Sequence, residues 1–87
     1  MPRTFRLSIC TPEESLFDAD VVSLIAPGAT GFMGILVDHA PLISATIPGP
    51  ITIKDSSLAT KIIQASSKGF LEAYDNQVNI LLNSLQE

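Results

Sequence analysis

The sequence predicts an all-β fold, a flattened β-barrel or sandwich of about eight to ten short strands with no substantial helix. Three observations carry this. Apolar residues recur with period two along most of the 87 residues. Gly, Pro, Asn and Asp interrupt those runs at intervals of about eight to twelve residues. Pro41, Pro48 and Pro50 exclude a helix between Ile35 and Ile53, because proline lacks an amide donor and its ring clashes with the preceding turn.

Each element follows in order. Phe5, Leu7 and Ile9 alternate with Thr4, Arg6, Ser8 and Cys10, a half-buried strand that leaves Cys10 on the opposite face from the three apolar residues. Thr11-Pro12-Glu13-Glu14 breaks it, and Leu16-Phe17 opens a short segment. The one helical alternative is a single turn over residues 13–18. Residues 21–26 (V-V-S-L-I-A) form a β-branched run that the turn dipeptide Pro27-Gly28 ends. Gly31 and Gly34 bracket Phe32 and Met33 in a tight loop that needs positive φ, and apolar residues at such a tip favour display over burial. Residues 35–37 and 42–47 are strands around Asp38-His39-Ala40-Pro41, and Pro48-Gly49-Pro50 is another break. Residues 51–54 alternate up to the polar tip Asp55-Ser56-Ser57, and residues 60–65 return. After Lys68-Gly69 comes the clearest hairpin: residues 70–74, a turn at Asp75-Asn76-Gln77, and residues 78–82. Residues 1–87 are expected to form one domain.

Composition bounds the function. A hydrophobic fraction of 46% supplies a modest core, and no apolar run reaches the ~20 residues of a membrane-spanning helix. The start, Met1-Pro2-Arg3-Thr4, has no basic region followed by an apolar stretch, so no secretory signal is expected. Net charge is −4 and the five basic residues are scattered, which disfavours nucleic acid and anionic lipid as partners. One cysteine makes neither an internal disulfide nor a thiolate metal cluster. Gly31 and Gly34 lack the fuller glycine pattern and the Lys-Ser/Thr pair of a phosphate loop. His39 and Cys10 lack the partners of a catalytic base or nucleophile. The acidic residues Glu13, Glu14, Asp18 and Asp20 read as solvated charge. No catalytic residue, cofactor, metal or small-molecule ligand is expected.

Two other classes compete with a partner-binding subunit. A hydrolase would use Cys10 or His39. A peptide- or sugar-binding sandwich would need exposed aromatics, and the four phenylalanines and one tyrosine fall mostly at expected core positions.

Thr11-Pro12-Glu13…Leu16-Phe17, then Ala26-Pro27-Gly28…Gly31-x-x-Gly34-Ile35-Leu36, resembles the amino-terminal domain of the epsilon subunit of F-type ATP synthases. His39-Ala40-Pro41-Leu42, Pro48-Gly49, Gly69-Phe70-Leu71-Glu72 and Asn76-x-Val78-x-Ile80-Leu81 continue the similarity in the same order. The resemblance implies a ten-stranded flattened barrel or sandwich, usually followed by a pair of helices that can restrain ATP hydrolysis. This sequence stops at Leu85-Gln86-Glu87 without that pair, so a naturally short chain with little hairpin-type inhibition is expected.

The resemblance also implies a non-catalytic rotor subunit that couples rotation of the c-ring to ATP synthesis. It places Cys10, Thr11, His39, Ala40, Pro41, Leu42 and Ser44 toward the gamma subunit, and Thr30, Gly31, Phe32 and Met33 toward the c-ring. Many members carry an acidic residue between the two glycines, where this chain has Phe32-Met33. The implied location is peripheral, on the cytoplasmic face of a bacterial inner membrane or the equivalent face of an organelle membrane.

Overall fold

The computed structural model describes residues 3–83. Nine strands run in order among them: β1 (Phe5–Cys10), β2 (Ser15–Val21), β3 (Ser23–Gly28), β4 (Gly31–Leu36), β5 (Leu42–Thr46), β6 (Gly49–Lys54), β7 (Thr60–Ala65), β8 (Gly69–Tyr74) and β9 (Gln77–Leu82). They hydrogen-bond as β2-β1-β9-β8-β5-β3-β6-β7, with β4 on the other edge of β3. Every pairing is antiparallel except β1 with β9. That parallel pair joins the first and last strands across the whole sequence.

The period-two residues build the core. Phe5, Leu7 and Ile9 of β1 stand with Leu71 and Ala73 of β8 and Val78, Ile80 and Leu82 of β9. Leu24, Ala26, Ile35, Ile51, Ile53 and Ala65 come from β3, β4, β6 and β7 and belong to the same buried cluster. One cluster fed by both halves of the strand order requires the sheet to curl until its inner face is sealed. The domain is accordingly elongated, 39 × 22 × 20 Å.

Several expected breaks lie inside strands. Val22 is a bend that divides the 21–26 run between β2 and β3, its amide donating to the Lys54 carbonyl at 2.8 Å. Pro27 and Gly28 are not the turn itself but the last two residues of β3. They pair with Phe32 and Gly31 of β4, and the turn falls on Ala29-Thr30. Pro27 is tolerated because its carbonyl still accepts from the Ile47 amide at 3.1 Å. Gly49 and Pro50 likewise open β6 instead of preceding it. Of residues 13–18, the one helical alternative, 15–18 are extended in β2 and 13–14 are not helical. Residues 84–87, the expected end of the chain, lie outside the described residues.

The turns show the residue chemistry that each backbone demands. Asp75 (φ 49) and Asn76 (φ 59) are both left-handed, as a two-residue hairpin loop requires. At the β6–β7 tip, Asp55 Oδ1 accepts from the Ser57 hydroxyl (2.7 Å), the Ser57 amide (2.9 Å) and the Ala59 amide (3.0 Å). The Ser57 hydroxyl first, then the Ala59 amide, holds the Asp55 carboxyl below its ordinary range. A depressed folded-state pKa stabilises the turn above the unfolded value, and the effect is lost as pH falls through the folded value. The stability difference between the wild type and Asp55→Ala is therefore expected to be full above about pH 5 and to disappear at acid pH below the carboxylate range. Chemical denaturation of both proteins across that range measures it.

Thr46 is 4% exposed and its hydroxyl is buried with no hydrogen-bond partner among the described groups. Leaving a buried hydroxyl unpaired costs about 1–3 kcal/mol, whereas an apolar replacement of the same shape carries no such cost. Thr46→Val is expected to raise unfolding free energy by about 1 kcal/mol, read as a higher denaturant midpoint with an unchanged slope.

Candidate partner-binding surfaces

Alternation that seals one face of the sheet also decides what the other face presents. Register places Cys10 of β1 beside Leu81 of β9, Leu81 beside Phe70 of β8, and Phe70 beside Ala45 of β5. The next row is Ser8, Asn79, Glu72 and Ile43. Ile43 is 74% exposed, Phe70 58%, Leu81 53% and Tyr74 43%. Apolar side chains this exposed on adjacent strands form a continuous patch of the kind that marks a protein interface. A shallow cleft of about 330 Å³ opens beside it, between Thr11, Pro12, Phe70, Leu81, Leu82 and Asn83.

Charge enters the patch at the exposed Glu72 of β8 and borders it along β1 and β2. Arg6 Nε donates to Asp18 at 2.8 Å and Arg6 Nη1 to Asp20 at 3.4 Å, all three side chains being more than half exposed. Asp18 and Asp20, Asp18 chiefly, raise the Arg6 guanidinium pKa. Such exposed pairs contribute little stability. They set a polar margin along β1 and β2 beside the Ala45–Phe70–Leu81 row of β5, β8 and β9.

A second surface occupies one end of the molecule. Ala29 and Thr30 turn the β3–β4 hairpin, and Gly31 follows with φ 136, a conformation that side-chain-bearing residues rarely adopt. Phe32 is 65% exposed. Met33 is half-buried and packs against the core, its side chain lying over Gly28 so closely that a methyl group there would meet Met33 Cε at 3.2 Å. The two adjacent residues thus part: Phe32 is displayed and Met33 is tucked in, because successive strand residues point to opposite faces. Gly34 is extended strand, not loop.

The loop at residues 37–41 lies at the other end of β4. Asp38 is left-handed (φ 65), its amide donates to Asn76 Oδ1 at 2.9 Å, and its carboxylate pairs with Arg3. Asn76 Nδ2 donates in turn to the Thr4 carbonyl at 2.8 Å. One turn asparagine therefore pins the loop to the start of β1. His39 is exposed, with Nδ1 2.7 Å from the Ala40 carbonyl, which places its proton on Nδ1 because a carbonyl only accepts. Ala40 and Pro41 are exposed beside it and Leu42 is half-buried.

The residues expected to face one partner are thus spread over the fold. Cys10 is half-exposed at the end of β1, one strand length (roughly 15–20 Å) from the His39 loop near its start. That separation keeps Cys10 and His39 from acting as a pair. Thr11 is 6% exposed; its hydroxyl accepts from the Glu13 and Glu14 amides at 3.1 and 3.2 Å and holds its own turn. Ser44 lies with the inward-facing set of β5, opposite Leu71, and its hydroxyl donates to the Ala45 carbonyl at 3.3 Å. The outward residues of that strand are Ile43 and Ala45.

Sequence reasoning missed Ile43, Phe70 and Leu81, although the alternation of β5, β8 and β9 contained them. It also misplaced two aromatics: Phe5 is buried, Phe17 half-buried and Phe32 displayed as expected, but Phe70 and Tyr74 are exposed. The core of β8 and β9 is closed by Leu71, Ala73, Val78 and Ile80, which leaves the rings outside.

Among the described residues no group of three or more His, Cys, Asp or Glu side chains is placed to hold a metal, and no helix is long and apolar enough to cross a membrane. The arrangement offers contact surfaces.

Comparison with known proteins places the fold. Residues 4–87 match the sequence model of the β-sandwich domain of the ATP synthase delta/epsilon chain. The chain is 38% identical over 84 residues to the ATP synthase epsilon chain of Pelotomaculum thermopropionicum, covering 97% of this chain and 61% of that one. It is 40% identical over 83 residues to the epsilon chain of Moorella thermoacetica, covering 95% and 61%. It therefore spans about three fifths of the length of these relatives. A chain in the cryo-EM structure of the Euglena gracilis mitochondrial ATP synthase shares the fold, with TM-score 0.87 at 20% identity over 97% of this chain and 53% of that one. A chain in the central stalk and c-ring structure of the Tetrahymena thermophila enzyme aligns with TM-score 0.76 at 15% identity over 95% and 66%. By its match from residue 4 to residue 87, the chain belongs to the ATP synthase delta/epsilon family as its β-sandwich domain.

Proposed function

We propose that this chain is a non-catalytic subunit of the central stalk of a proton-translocating F-type ATP synthase, coupling rotation of the c-ring to ATP synthesis through contacts with gamma and with the ring. The observation that carries the reading is a family β-sandwich with two separate exposed apolar surfaces, one on a sheet face and one at an end. A part that transmits torque between two partners needs two such contacts, and packed apolar area with a polar margin resists slip without chemistry. The face bearing Ile43, Ala45, Phe70 and Leu81 is assigned to gamma, together with Cys10 and the loop at residues 39–42. The hairpin end bearing Thr30, Gly31 and Phe32 is assigned to the ring. The subunit is then peripheral, on the side of the membrane that carries the catalytic head, which is the cytoplasmic face in a bacterium.

Affinity purification of the tagged chain from gently solubilised membranes of its native cell tests this. Recovery of alpha, beta, gamma and c subunits is the expected result. Recovery alone or with soluble proteins only, under conditions that keep the synthase whole, overturns it.

A further inference from the structure

The sheet face that carries Phe70 holds an unneutralised charge. Glu72 of β8 is exposed, and its neighbours on that face are Phe70 and Tyr74 along the same strand, Ile43 on β5 and half-buried Asn79 on β9. Three of those four neighbours are exposed apolar side chains. Within the described strands the acidic residues are Asp18, Asp20 and Glu72. Asp18 and Asp20 share Arg6, whereas Glu72 has no ion pair among the described residues. Arg6 is the one basic residue on this face of β1, β9, β8 and β5. It stands two strands and one row from Glu72, roughly 12 Å by strand spacing, and is already taken by its two aspartates.

A carboxylate so placed is stable in water and costly under an apolar partner. Covering it strips its hydration, and of its neighbours only the Asn79 amide can donate a hydrogen bond in return. The loss is offset when the covering surface brings a cation to the carboxylate. From this we infer that Glu72 sets the register of the face assigned to gamma, and that gamma presents a basic side chain to it between Phe70 and Tyr74. The inference rests on the proposed place of the chain in the stalk. The two rings suit such a cation, since their faces attract positive charge. Apolar rows can slide past one another at little cost, but a paired charge among them fixes one alignment and rejects surfaces that lack the cation.

The test titrates the full chain against the isolated synthase depleted of this subunit, as wild type, Glu72→Gln, Glu72→Leu and Glu72→Lys. The sign of the change decides. Opposite a cation, Glu72→Gln is expected to weaken binding about tenfold or more. Glu72→Leu is expected to weaken it about a hundredfold, because it leaves the cation of gamma buried without a partner, and Glu72→Lys further still. Circular dichroism of each variant checks that the exposed substitution leaves the fold intact. Opposite an apolar or acidic surface the order reverses. A Glu72→Leu or Glu72→Lys protein that binds more tightly than wild type therefore overturns the inference while the stalk reading stands. Variants that all bind like wild type, as a carboxylate left in water would allow, overturn it too. Failure of the wild type to bind the depleted complex at all overturns the stalk reading itself.

Discussion

Replacing Gly69 with alanine is expected to cost the domain about 3–5 kcal/mol, enough to leave an 87-residue protein largely unfolded at moderate temperature. Gly69 is the first residue of β8 and is buried against β9. A methyl group there would stand 2.1 Å from the Leu81 carbonyl oxygen and 3.0 Å from its carbon and from Leu82 Cα. All three are backbone atoms, so no rotamer change relieves the overlap. Relief requires separating β8 from β9 at the Gly69–Leu82 pair, and β9 is also the parallel partner of β1. The damage therefore spreads across three strands, which places it above the usual ~1–3 kcal/mol for overpacking. Urea denaturation with circular dichroism measures it; a loss below about 1 kcal/mol would show that the ladder yields at this point.

The second large effect separates folding from assembly. Phe70→Glu is expected to leave unfolding free energy within about 1 kcal/mol of wild type, because the side chain is 58% exposed and lies outside the buried cluster. The same substitution puts a charge in the middle of the row Cys10–Leu81–Phe70–Ala45. If that row is buried against gamma, affinity for the depleted complex falls by about 30-fold to 1,000-fold, the range for an aromatic residue at the centre of an interface. Ile62→Glu is the control. Ile62 is 60% exposed on β7, outside both proposed contacts, so it adds the same charge and should bind like wild type. Equal losses from the two variants would mean that the Phe70 face is not the contact.

Strands were the most legible part of this protein. β1, β6, β7, β8 and β9 lie where alternation and turn residues place them, since the pleat and the left-handed tolerance of Asp75 and Asn76 act over a few residues. Errors concentrate at proline and glycine. Pro27-Gly28 and Gly49-Pro50 look like stops but sit inside strands, because a proline whose amide side needs no partner loses nothing by being extended. For the same reason a supposed display loop is a strand, and its two apolar residues face opposite ways.

The candidate surfaces were only half legible. Period two shows that β8 has two faces, Phe70-Glu72-Tyr74 and Gly69-Leu71-Ala73, and larger residues would ordinarily be given the core. Which face is sealed depends on what stands across the barrel and on how closely β9 approaches at Gly69. Both are consequences of pairing between distant segments. Likewise nothing local to Thr11 reveals that its hydroxyl is consumed by its own turn, nor that Cys10 neighbours Leu81. The sequence alone determined the β class, the strand positions and the apolar inner residues, because these follow from backbone sterics and from burying alternate side chains. Only the tertiary structure decided the parallel union of β1 with β9, the outward turn of Phe70 and Tyr74, and the surfaces they create, because those arise from contacts whose closure cost and geometry belong to the whole chain.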